Sequence, residues 1–162
     1  MNKISSSLTT KSRKKANRLY IFNVTILEIV DSDTVKTDID LGFGINFTER
    51  MIKLYGLDSP SANTADVMEK KFGLLCKEAL EKYLPIKSQQ QLVSVDTTSD
   101  KYGRILGEFL VDSLEFPNHK INLNRYLIDK RLAVPYHGED IDTIKELHHQ
   151  NRMFLMKYGL VS

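Results

Sequence analysis

At 162 residues and a formal net charge of +2, the chain is long enough to bury one core and too nearly neutral for bulk charge to announce a polyanion partner. Apolar residues make up 41% and charged residues 27%, a globular rather than disordered balance, and the single cysteine, Cys76, excludes an internal disulfide. No run of about 18 apolar residues is present to span a membrane, and no apolar stretch follows Lys3 as a secretory signal requires, so a cytoplasmic protein without a signal peptide is the expectation.

Residues 1–17 are rich in Ser, Thr and Lys, with Lys11, Arg13, Lys14 and Lys15 clustered. Such a segment buries no face and reads as a flexible basic tail, either solubilising or a non-specific phosphate anchor. From Arg18 the pattern turns to β: Tyr20, Phe22, Val24, Ile26 and Glu28 alternate with Ile21, Asn23, Thr25, Leu27 and Ile29. A turn at Asp31-Ser32 leads to a second strand over Thr34–Ile39. The glycine-bearing run Asp40–Gly44 turns the chain towards a third strand over Glu49–Leu57, which Pro60 closes. The extra length from Asp40 to Glu49 reads as a decorative loop or a longer hairpin beside a site.

Met68, Phe72, Leu75, Cys76, Ala79, Leu80 and Tyr83 recur at helical spacing, and Pro85 ends that helix. Cys76 lies on the apolar face and reads as core rather than as a reactive thiol. Strands are expected over Gln91–Asp96 and Ile105–Val111, with a turn from Thr97 to Gly103 between them. A second helix is expected over Leu123–Lys130, capped by Asn122, and a last one from Asp142 to Gly159 with the stripe Ile144, Leu147, Phe154, Leu155 and Tyr158. Five strands with a helix between the third and fourth form the order of an OB-type barrel, an α+β domain over residues 18–162.

Three segments carry candidate chemistry: Asp31-Ser32-Asp33-Thr34, Lys53 to Pro60, and Asp100-Lys101-Tyr102-Gly103-Arg104. Each alone has a structural explanation as an Asx turn, a proline-terminated strand or a glycine hairpin. Together, and in this order, they resemble the staphylococcal nuclease (thermonuclease) family, and the likeness runs from about Leu19 to the C-terminus. Asn122-Leu123-Asn124, Leu127 and Arg131-Leu132-Ala133 extend it, and Lys70-Lys71-Phe72-Gly73-Leu74-Leu75 resembles the thermonuclease-like proteins of large tailed phages.

The resemblance implies a five-stranded OB-fold barrel with three helices, and a Ca²⁺-dependent site that cleaves phosphodiester bonds. By position it implies Asp33 and Asp58 as calcium carboxylates, the Ser59 carbonyl as a further ligand, and Asp31 as support for Asp33. Oxygen donors completed by water suit calcium. Arg104 matches an arginine that grips phosphate, Lys101 and Tyr102 lie by a neighbouring phosphate, and Tyr136 takes a nucleotide-stacking place.

Two catalytic positions depart from the family pattern. Its glutamate after the proline is Ser61 here, and its first arginine is Lys53. Losing a general base costs about 10²–10⁴ in rate, and lysine lacks the planar fork that engages two phosphate oxygens. Asp66 or Glu69 offers a carboxylate for rescue if the loop after Ser61 brings it close. The leading expectation is therefore a nucleic-acid-binding protein (single-stranded DNA or RNA) with an eroded site and a weakened, calcium-dependent centre. The alternatives are an active calcium-dependent endonuclease and a protein-interaction module, such as a phage virion component or counter-defence factor. His148-His149 are adjacent on a helix and face different ways, and His119 and His137 lie in loops without partners at metal-ligand spacing.

Overall fold

The computed structural model describes residues 20–95 and 100–160. The expected basic tail, Asp96 and residues 97–99 of the turn after it lie outside the described residues. Strands β1 (Ile21–Asp31), β2 (Thr34–Asp40) and β3 (Asn46–Leu54) form an antiparallel meander. Helix α1 (Val67–Tyr83) leads to β5 (Gln89–Ser94) and β6 (Ile105–Asp112), after a two-residue β4 (Leu57–Asp58). The chain then runs through β7 (Lys120–Asn122), α2 (Leu123–Asp129), β8 (Val134–Pro135) and α3 (Ile141–Lys157).

The sheet order β3-β2-β1-β5-β6-β7 closes through a parallel pairing of β3 with β6, Ile52 opposite Ile105 and Leu54 opposite Gly107. The result is a closed five-stranded barrel with three helices, the α+β OB-type fold. The closing pairing covers Ile52–Leu54 at the C-terminal end of β3. Val24, Ile26, Val35, Ile52, Leu54, Leu92 and Phe109 fill the interior, and Cys76 and Leu80 of α1 and Leu123 and Leu127 of α2 pack on the same core. Each such side chain contributes about 1.5–3 kcal/mol by leaving water.

Local chemistry sets the boundaries. The alternation of β1 breaks at a bulge between Ile26 and Glu28, so the inward positions pass from Val24 and Ile26 to Ile29. Strand β3 begins earlier and ends earlier than Glu49–Leu57: Gly56, at φ +76°, turns the chain, and Leu57-Asp58 pair instead with Val134-Pro135. The β1–β2 turn is centred one residue later than expected, on Ser32-Asp33. The Asp40–Glu49 segment is a hairpin extension, and Phe43 at its tip is wholly exposed.

Asp66 caps α1, accepting from the amides of Met68 and Glu69, and Asn122 caps α2 through the amide of Arg125. Gly73 of α1 faces the Ser61–Ala62 backbone so closely that a Cβ there would lie 2.3 Å from the Ser61 carbonyl. Glycine is therefore what lets the helix press on the loop that follows Pro60. The α3 stripe is only partly a core face: Ile144 and Leu155 are buried, whereas Phe154 and Tyr158 are exposed. No helix among the described residues is long and apolar enough to cross a membrane.

Candidate functional site

Strand pairing places Thr34 opposite Lys53, and the Leu54 amide donates to the Asp33 carbonyl at 2.9 Å. The first two sequence motifs thus meet at one end of the barrel. The third joins them because β6 runs beside β3, which sets Arg104 next to Thr34. Between these segments opens a cleft of about 570 Å³, lined among others by Asp33, Lys53, Asp58, Asp100, Lys101, Tyr102, Arg104 and Tyr136. Tyr136 is held there because its amide donates to the Gly56 carbonyl at 3.0 Å.

Asp100 organises the third motif. Its Oδ1 accepts the amides of Tyr102 and Arg104 at 2.9 Å each, and its Oδ2 takes Arg104 Nε at 2.7 Å and Nη2 at 2.6 Å. Burial acts to raise the Asp100 carboxyl, but these donors outweigh it and hold the pKa below its ordinary value. Arg104 Nη1 donates to Thr34 Oγ1 at 3.0 Å, and Thr34 Oγ1 donates to Asp33 Oδ1 at 2.7 Å. Three of the five guanidinium N–H groups are thereby engaged, which fixes the plane, and among the described residues the other two are left for a ligand. Tyr102 is exposed and carries two cations near its ring, Lys101 Nζ at 5.0 Å and Arg104 Cζ at 5.5 Å from the centroid.

The two carboxylates implied as calcium ligands both hold protein donors. The Lys53 ammonium pairs with Asp33 Oδ2, and each side chain is less than one-fifth exposed. His148 Nε2 lies 2.7 Å from Asp58 Oδ2. Ser59 Oγ donates to Ser32 Oγ at 2.9 Å, and Ser59 lines a smaller cavity of about 270 Å³ on another side of Asp58, with Glu69, Ile144, Lys145, His148 and Arg152. No group of three or more His, Cys, Asp or Glu among the described residues is arranged to hold a metal ion. With Lys53 and Thr34 on the two oxygens of Asp33 and His148 on one oxygen of Asp58, three of the four carboxylate oxygens hold protein donors, and this donor set does not fit a hard divalent cation.

Asp31 supports the loop after Pro60 rather than Asp33. Its Oδ1 accepts the amides of Ser32 and Ala62 at 2.8 Å each, and its Oδ2 accepts Ser61 Oγ at 3.0 Å. Burial would raise this carboxyl, and the amides of Ser32 and Ala62 with the Ser61 hydroxyl bring it below the usual value. Ser61 is thus tied to Asp31 and is not among the residues lining the larger cleft. Of the two rescue candidates, Asp66 is engaged as the α1 cap, while Glu69 Oε1 accepts the Ser61 amide at 3.1 Å.

The model of the staphylococcal nuclease homologue family matches residues 51–153. The chain belongs to that family. A search of curated proteins finds no match. The match covers the second and third motifs of this staphylococcal nuclease homologue, and Asp31–Thr34 lie ahead of it. Their place at the cleft follows from the barrel, through the pairing of Thr34 with Lys53.

Features at the cleft and beside it were not read from sequence. His137 lies against Gly56, its Cε1 3.1 Å from where a Cβ would stand, and meets Tyr55 edge-on at 5.9 Å. Both rings line the cleft. His148 reaches Asp58 from α3, while His149 is exposed. The signal for His148 was its spacing: it follows Ile144 by four residues and precedes Leu155 by seven, so it shares their face.

Proposed function

We propose that this staphylococcal nuclease homologue binds single-stranded DNA or RNA in the cleft at the end of the barrel, and hydrolyses phosphodiester bonds weakly or not at all. The observation that carries the reading is the Asp100–Arg104–Thr34–Asp33 chain of hydrogen bonds, which fixes a guanidinium beside exposed tyrosines. Arg104 and Lys101 supply phosphate contacts, and Tyr102 and Tyr136 supply faces on which bases stack. Stacking on an aromatic side chain contributes about 1–3 kcal/mol per base.

The loss of hydrolysis rests on Ser61 and Lys53. The Ser61 hydroxyl is directed to Asp31, and a hydroxyl does not accept a proton from water near neutral pH. Lys53 neutralises Asp33 in place of a fork aimed at phosphate. Residues 18–162 act as one nuclease-fold domain carrying the basic segment 1–17 as a solubilising tail or an accessory phosphate anchor. The likeness of Lys70–Leu75 to phage thermonuclease-like proteins supports a phage-encoded protein working in the cytoplasm of a host cell.

One contact favours a second reading, an active calcium-dependent endonuclease. Glu69 brings a carboxylate to the Ser61 backbone, next to the position the family gives its base. Incubation of labelled single-stranded DNA and RNA with Ca²⁺, and separately with EDTA, distinguishes the two. The binding reading expects intact strands in both. Metal-dependent cleavage lost in Asp33→Ala and Glu69→Gln would establish the enzyme instead.

A further inference from the structure

Asp33 and Asp58 reach the cleft from different parts of the chain, and each is held by a nitrogen donor, Asp33 by Lys53 within the cleft and Asp58 by His148 from the smaller cavity on its other side. Lys53 is one strand away from Asp33 because β2 and β3 pair Thr34 with Lys53. Its ammonium rests on Asp33 Oδ2, and the other oxygen of that carboxylate accepts from Thr34. His148 projects from α3, a helix far along the chain, and closes on Asp58 Oδ2 at 2.7 Å with its own side chain 15% exposed. A divalent ion coordinating both aspartates must displace Lys53 or Thr34 from Asp33, and it shares the Asp58 carboxylate with an imidazole on Oδ2.

We infer that Lys53 and His148, each holding one oxygen of an aspartate, compete with a divalent cation for this pair, so that the cleft takes nucleic-acid phosphates without a metal ion. The inference rests on the nucleic-acid-binding reading above and deepens it. An ammonium is a compact point charge that suits a single carboxylate oxygen, and it offsets the Asp33 charge that a bound ion would otherwise neutralise. Phosphate oxygens then meet Lys101 and the two unengaged N–H groups of Arg104 directly. The bases meet Tyr102 and Tyr136, whose stacking has no metal requirement.

Two titrations on the full chain test this. Calcium is added to the protein alone in a calorimeter, and a fluorescent single-stranded oligonucleotide is titrated with protein in millimolar Ca²⁺ and in EDTA. The parent is expected to bind no calcium in the millimolar range, and the oligonucleotide Kd to change by less than about twofold between the two buffers. The Lys53→Met/His148→Ala variant, freed of both competitors, is expected to gain calcium affinity by about tenfold or more, since ligand charge sets affinity at such sites.

Calcium binding by the parent that Asp33→Ala removes would overturn the inference, as would oligonucleotide binding that needs Ca²⁺. A folded double variant without calcium affinity, checked by circular dichroism, would overturn it as well. Absence of oligonucleotide binding in either buffer would instead defeat the nucleic-acid reading, while the calorimetry would still report on the two carboxylates.

Discussion

Replacing Asp31 by alanine removes the acceptor that ties the end of β1 to the loop after Pro60. Two backbone amides lose their partner, those of Ser32 and Ala62, and both residues are at most 4% exposed. Leaving a buried donor unsatisfied costs about 1–3 kcal/mol, so the pair amounts to about 2–6 kcal/mol, a large part of the 5–15 kcal/mol typical of a domain. Asp31→Asn keeps an acceptor for the amides and loses the charge, so it should retain more stability than the alanine variant.

The pH dependence separates these two effects. The Asp31 pKa is lowered in the fold, so its ionic contribution is fully present above the unfolded value near ~3.9 and is lost as pH falls through the folded value. Urea unfolding from about pH 6 down to about pH 2 should show the parent losing stability below about pH 4 more steeply than Asp31→Asn. A loss under about 0.5 kcal/mol in Asp31→Ala, or parallel pH profiles for the parent and Asp31→Asn, would refute the assigned role of this carboxylate.

Other consequences follow from single contacts. Gly73→Ala sets a Cβ against the Ser61–Ala62 backbone and should cost about 1–3 kcal/mol in urea unfolding; an unchanged midpoint would mean the helix does not press on that loop. Asn124 accepts from the Phe109 amide and donates to the carbonyls of Tyr55 and Gly107. Asn124→Ala should therefore cost more than about 2 kcal/mol, read by the same method, because these groups lose a buried partner. Burial pushes the Cys76 thiol up to about 12, with the charges of Asp33 and Asp31 adding to the rise. A thiol reagent at neutral pH should label Cys76 in denaturant and leave it unmodified in the native protein.

The barrel was legible in the sequence because its signals are local: alternation in the strands, the Asn122 cap, helical spacing from Met68 to Tyr83, and glycines at the turns. The third motif was legible for the same reason, since Asp100, Tyr102 and Arg104 bond within one turn. What escaped were contacts made by topology. His148 meets Asp58 across ninety positions of sequence, and an adjacent histidine pair gives no local hint of which ring turns inward. Asp31 has the right spacing to support Asp33, yet its geometry sends its oxygens to Ser61 and Ala62. The end of β3 was misplaced because Tyr55 and Leu57 read as strand, whereas Gly56 between them takes a positive φ that turns the chain.

The central proposal is that the cleft binds nucleic acid through a fixed Arg104 and cuts it weakly or not at all. Fluorescence anisotropy of a labelled single-stranded oligonucleotide across a range of salt, with parent and Arg104→Ala protein, tests this most directly when each sample is afterwards run on a denaturing gel. The account predicts salt-sensitive binding, a weakening of about tenfold or more in Arg104→Ala from the loss of a charge-assisted phosphate contact, and an intact strand in every lane. Binding indifferent to Arg104, or a strand cut by the parent and spared by Arg104→Ala, would contradict it.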